Sequence, residues 1–148
     1  MRVLVQRVSS ASVSVDGRKV GEIQRGLLLL IGFGPGDDPS LLASMADKVL
    51  NLRVFPNHSG RFQHSVLDTH GGLLAVPQFT LYADTRRGRR PDFSPALAPE
   101  QAAPLFMQFV ELLRAGGARH VATGKFGAHM KVDSRNDGPV SLLLERDT

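Results

Sequence analysis

The chain has 148 residues, 42% of them hydrophobic and 22% charged; this balance suits one globular domain and excludes a disordered or fibrous chain. It contains no cysteine, which excludes disulfides, thiolate zinc sites, iron–sulfur ligation and a thiol nucleophile. Lysine and arginine outnumber the acids by 18 to 14, so an anionic partner suits the charge.

From the amino terminus, Met1 to Val8 alternates apolar residues with Arg2, Gln6 and Arg7. That is a strand pattern, without the unbroken apolar stretch of a secretion signal. Val13 and Val15 continue the alternation, and Asp16-Gly17 predicts a tight turn into a partner strand over Val20 to Ile23. Gly26 to Phe33 is almost wholly apolar, as a strand covered on both faces should be. The longest apolar run, Leu27 to Ile31, falls far short of the roughly 20 residues that span a bilayer. A soluble, cytoplasmic protein with no membrane partner is expected.

Asp38-Pro39 predicts a helix start, and Leu41, Leu42, Met45, Val49 and Leu52 then recur as one apolar stripe. Leu73 to Tyr82 reads as a strand interrupted at Pro77, which cannot donate to a ladder and so implies an edge, a bulge or a strand end. A second helix is expected from about Pro99 to Arg114, burying Leu105, Phe106, Phe109 and Leu113 and ending at Gly116-Gly117. Pro104 fits poorly inside it, so the regular part is expected to begin only there. Three further strands are expected over His120 to Phe126, Lys131 to Arg135 and Val140 to Leu144, the last two separated by Asn136-Asp137-Gly138-Pro139. Residues 1–148 thus read as a single α/β (α+β) domain, a mixed, barrel-like sheet with two main helices on one side.

Familiar catalytic and cofactor signatures fail in detail. Gly32-Phe33-Gly34-Pro35-Gly36 suggests a dinucleotide loop, but Asp37 and Asp38 follow, so a phosphate would meet two negative charges. A plain turn is the better reading. The five histidines, His58, His64, His70, His120 and His129, show no metal-ligand spacing, and no serine lies in G-x-S-x-G. Neither a cofactor nor a metal is expected.

Three segments remain. Arg86, Arg87, Arg89 and Arg90 crowd into five positions, as many charges as the whole net excess of +4. Such a cluster suits nucleic acid, and a solvated loop is the plain alternative. Pro77-Gln78-Phe79-Thr80-Leu81 puts an amide and a hydroxyl at an apolar strand end just before that loop; a strand edge with a buried Phe79 is the plain alternative. In Asn136-Asp137-Gly138-Pro139-Val140-Ser141, Gly138 permits close backbone approach, and the bond before Pro139 adopts cis at a cost of only about 0.5–1 kcal/mol. A hairpin turn is the alternative there.

Taken together, these segments resemble the D-aminoacyl-tRNA deacylases, also called D-tyrosyl-tRNA deacylases, over essentially the whole chain. The resemblance includes Val5-Gln6-Arg7-Val8, Gly88-Arg89-Arg90-Pro91 with Phe93-Ser94, and Phe126-Gly127-Ala128 with Met130. Its decisive part is a pair of motifs in the right order. The family's S-Q-F-T-L corresponds to Pro77 to Leu81, and its N-x-G-P-V-T to Asn136 to Ser141.

The resemblance implies a homodimer with active sites at the subunit interface. Its substrate is a tRNA esterified with a D-amino acid or glycine, which hydrolysis frees. Gly138-Pro139 matches the family's cis pair, whose carbonyl groups enter the partner's site as a chiral gate that collides with an L side chain. Asn136, Ala128 and Met130 carry over to the substrate-binding surface, and Arg7 to a brace for the Gly-Pro segment. Gln78, Phe79 and Thr80 match the opposite, catalytic wall. There the Phe79 and Thr80 amides would hold the oxyanion while the tRNA 2′-hydroxyl assists attack by water. Arg86, Arg87, Arg89 and Arg90 would contact phosphates without reading sequence. Pro77 stands where the family has serine, which leaves strict D-selectivity open and motivates a relative that clears mischarged L-amino acids. Ser141 replaces threonine conservatively.

Overall fold

The computed structural model of the protein describes residues 1–146. Three strands open the chain: β1 (Arg2–Val15), β2 (Arg18–Ile23) and β3 (Gly26–Gly32). Asp16 and Gly17, both at positive φ (50° and 77°), make the expected tight turn between β1 and β2. A 3-10 turn over Pro39–Leu41 leads into α1 (Leu42–Asn51), and a small hairpin, β4 (Phe55–Pro56) with β5 (Phe62–His64), follows. Then come β6 (Gly72–Pro77), a 3-10 turn over Phe79–Tyr82, α2 (Pro99–Ala115), β7 (Val121–Thr123) and β8 (Lys131–Glu145).

β1 organises the sheet. One of its edges pairs antiparallel with β3, from Arg2 opposite Gly32 to Val8 opposite Gly26, and then with β2, from Ala11 opposite Ile23. The other edge pairs antiparallel with β8 along almost its full length, from Arg2 opposite Glu145 to Ser14 opposite Lys131. β3, β6 and β7 run parallel to one another. The sheet nearly closes into a barrel, because β2 turns back onto β7. Gly21 allows this approach: a Cβ there would lie 2.7 Å from the Thr123 carbonyl oxygen.

Two apolar cores result. Val3, Val5, Leu27, Leu29, Ile31, Leu73 and Ala75 face the helices, meeting Met45 and Val49 of α1 and Phe106, Phe109 and Leu113 of α2. Val8, Val13, Ile23, Leu28, Leu74 and Val76 fill the barrel. β3 and β6 therefore contribute to both cores, as the unbroken apolar run in β3 implies.

Five expectations change. Lys131 to Arg135 and Val140 to Leu144 are one strand, β8, with Asn136 to Pro139 inside it. The pairing irregularities opposite Arg7 and Ser9 absorb the misfit there. The strand from Leu73 ends at Pro77, and Phe79 to Tyr82 turns away. Tertiary pairing keeps only Val121–Thr123 of the strand expected over His120 to Phe126. Helix α2 is continuous from Pro99. Pro104 deprives only the exposed Glu100 carbonyl of an amide, and water can serve it near the helix start. Finally, Asp38 caps the Pro39–Leu41 turn by accepting from the Ser40 amide at 2.8 Å, while α1 itself begins at Leu42. The hydrogen bonds from Ser40 lower the Asp38 pKa.

Candidate active site

The site grows from the ends of two parallel strands. Pro77 closes β6, and the Gln78 amide crosses to the Ile31 carbonyl of β3 at 2.7 Å. The chain then winds through the 3-10 turn, where Leu81 N donates to Gln78 O at 3.3 Å and Ala83 N to Thr80 O at 3.0 Å. The leading amides of such a turn, here Phe79 and Thr80, have no acceptor inside it. The Gln78 side-chain amide donates to Thr80 Oγ1. An amide is not a base, so this contact does not activate the hydroxyl as a nucleophile.

Beside this turn lies a mainly apolar cavity of about 510 Å³. Gln78 and Phe79 line one side, Ala128 and Met130 another, and Phe33, Phe93 and Phe126 add aromatic surface. Contrary to the strand-edge alternative, Phe79 is 57% exposed. Its ring meets Phe93 edge-on, with centroids 5.2 Å apart. Composition alone did not single out Phe33 or Phe93 as cavity residues, since each reads as ordinary core or loop.

The second motif lies elsewhere. Gly138 and Pro139 are exposed on β8, joined by a cis peptide bond. Neither of them, nor Asn136 or Arg7, is among the residues lining the cavity. Arg7 is almost fully buried beneath them. Its Nε donates to the Asp137 carbonyl at 2.8 Å and its Nη1 to the Val54 carbonyl at 2.7 Å, with the Phe62 ring 5.6 Å away. Asn136 cross-links the same segment: its Oδ1 accepts from Val140 N at 2.8 Å, and its Nδ2 donates to Val140 O at 3.2 Å. Gln6 Nε2 reaches Ser141 Oγ at 3.1 Å. The exposed pair is thus held from below by a buried guanidinium and from the side by an amide.

An antiparallel bridge between Asp84 and Asp92 closes the arginine loop, with N–O distances of 2.7 and 2.9 Å. Arg86 forks onto Asp84 through Nε at 2.9 Å and Nη2 at 2.8 Å. These bonds, with one from the Arg86 backbone amide, hold the Asp84 carboxyl down at about 2 and raise the Arg86 pKa. One of the four arginines is therefore paired off locally. Arg87, Arg89 and Arg90 stay exposed.

These features define a nearly closed α+β barrel with an apolar cleft at its parallel strand ends and a rigid main-chain projection on the strand at its edge. A family model described as D-Tyr-tRNA(Tyr) deacylase matches residues 4–145. A D-aminoacyl-tRNA deacylase of Roseiflexus castenholzii is 56% identical over 98% of this chain and 92% of its own length. A solved structure titled c-Myc DNA Unwinding Element Binding Protein superimposes with a TM-score of 0.94 at 41% identity, covering 100% of both chains. Another, titled as a probable eukaryotic D-amino acid tRNA deacylase, has a TM-score of 0.84 at 19% identity over 97% of both chains and shares the fold. The chain belongs to the D-Tyr-tRNA(Tyr) deacylase family. It is accordingly an enzyme of the aminoacyl-tRNA hydrolase class.

Proposed function

We propose that the chain, one domain over residues 1–148, hydrolyses D-aminoacyl-tRNA and glycyl-tRNA in the cytoplasm, as a homodimer whose sites lie between the subunits. Water adds to the ester carbonyl, the bond from that carbon to the ribose oxygen breaks, and the departing oxygen takes a proton. Free tRNA and the amino acid result. The Phe79 and Thr80 amides stabilise the oxyanion, a role worth a few kcal/mol (about 2.7–4 for one such donor). The tRNA 2′-hydroxyl assists the attacking water. Arg87, Arg89 and Arg90 meet the phosphates, with Arg86 lending less charge because Asp84 occupies it.

One observation carries this reading. The cleft holds Gln78 and Phe79, while the braced Gly138-Pro139 pair stands outside it on an exposed strand. A second copy of the chain could bring that pair against Phe79, and a main-chain wall tests handedness at Cα without fitting any particular side chain. Glycine passes because it has none.

The test is cleavage of D-Tyr-tRNA against L-Tyr-tRNA, with and without a 2′-deoxy terminal adenosine. Rapid, D-selective cleavage that slows strongly on 2′-deoxy substitution is expected. Equal rates for the two enantiomers would overturn the gate, and an unchanged 2′-deoxy rate would overturn the RNA-assisted step. The exposed Arg87, Arg89 and Arg90 also predict tRNA binding that weakens as salt rises.

A further inference from the structure

The turn that carries Phe79 and Thr80 buries none of its own residues. Half-buried Leu81 and Tyr82 give it only partial hydrophobic packing, so polar contacts must help to hold those two amides in place. At its start the turn is tied by the bond from the Gln78 amide to Ile31. At its far end stands Arg2, the first residue of β1. Its Nη1 donates to the Leu81 carbonyl at 2.7 Å, and its guanidinium carbon lies 4.4 Å from the centre of the Tyr82 ring. Its Nε pairs with Glu145 at 3.1 Å, which aims the fork from the neighbouring strand β8. Room for the ring comes from Gly34, where a Cβ would fall 2.3 Å from a Tyr82 ring carbon.

We infer that Arg2 is a positioning residue for the reaction, clamping the Leu81-Tyr82 end of the turn so that the Phe79 and Thr80 amides keep one orientation. This rests on the proposed oxyanion role of those amides. A planar guanidinium suits the task because it can bond a carbonyl in its plane and cover an aromatic ring with its face. Lysine has a point charge and no such face. The clamp touches no substrate, so it bears on the fit of the turn to the transition state and not on tRNA affinity.

The experiment pairs turnover with hydrogen exchange in the full chain. Arg2→Ala is expected to lower kcat on D-Tyr-tRNA about tenfold with KM within about twofold, since small displacements of positioned groups cost up to about a hundredfold. Amide exchange at Leu81 and Ala83 should rise about tenfold, which reads release of the turn without substrate. Tyr82→Leu should act in the same direction, and the double variant should lose less than the product of the two single losses, because both remove one device. Arg2→Lys should recover part of kcat.

Active, folded Arg2→Ala with kcat and exchange both near wild type would overturn the clamp. So would a loss confined to KM or to melting temperature. Wild-type protein that cleaves no D-aminoacyl-tRNA, while exchange still responds to Arg2→Ala, would instead sink the functional reading, and the catalytic purpose of the clamp with it.

Discussion

Strands β3 and β8 both run along the same central strand, and they answer to different surroundings. β3 places Leu27, Leu29 and Ile31 against the helices and Leu28 inside the barrel, so its own chain covers both faces. β8 is twice as long, yet its chain leaves Val132 39%, Leu142 38% and Leu143 51% exposed. It pairs with β1 on one side, and no further strand follows it in the sheet among the described residues. A long open edge carrying apolar side chains is a pairing liability unless something meets it. The difference teaches that apolar content marks a surface to be covered without saying which chain covers it. In β8, where Gly138-Pro139 projects, a second copy of the chain is the cover the proposed mechanism requires.

The contrast can be broken first at its core. Leu29→Ala should cost about 2–5 kcal/mol in urea unfolding, because Leu29 is fully buried and its cavity can only partly collapse. Leu143→Ala in the single chain should stay within about 0.5 kcal/mol. A cost at Leu143 that grows with protein concentration would show that another chain covers it. Next, Gly138→Ala should slow D-Tyr-tRNA cleavage about a hundredfold and cost about 1–3 kcal/mol of stability, because alanine is strained at this φ. Gly138 sits at φ +142°, and an added Cβ would lie 2.8 Å from a Val140 methyl and 3.0 Å from Arg7 Nη2. Unchanged steady-state turnover would separate this projection from catalysis.

Thr80→Ala should keep activity within about threefold, since main-chain donors survive loss of a side chain; a loss as complete as that of a true nucleophile would reverse the mechanism. The smallest effect concerns the loop. Asp84 should titrate at about 2 by carboxyl NMR. The folded pKa lies below the ordinary value, so the stabilisation by Arg86 is complete above the normal carboxylate range and fades as pH falls toward about 2. Arg86→Ala should move the midpoint up only part of the way toward 3.8, because the backbone amide at position 86 still donates to Asp84.

Much of this was legible in the sequence. The Asp16-Gly17 turn, the doubly buried β3 and the stripe of α1 follow from local patterns of dihedral preference and burial, and those patterns are written in neighbouring residues. The motif around Gln78 to Leu81 was recognisable, but Pro77 did not reveal whether the strand bent, bulged or stopped. That depended on Ile31, which takes the next amide. Likewise Asn136 to Pro139 looks like a turn, because four such residues usually reverse a chain. Pairing with β1 on either side, and the Arg7 and Asn136 braces, make one strand of it instead. The β4–β5 hairpin was missed because its strands are too short to show an alternation.

What the linear order determined by itself was the inventory: the family motifs, the absence of a cysteine, the arginine cluster and the apolar periods that select strands and helices. Only the tertiary structure decided that Gln78, Phe79, Ala128 and Met130 share one cleft while Arg7 and Gly138-Pro139 stand outside it. The physical reason is distance along the chain. Periodicity and turn chemistry act over a few residues, whereas a guanidinium at position 7 meets a carbonyl at position 137 only after the whole barrel has folded.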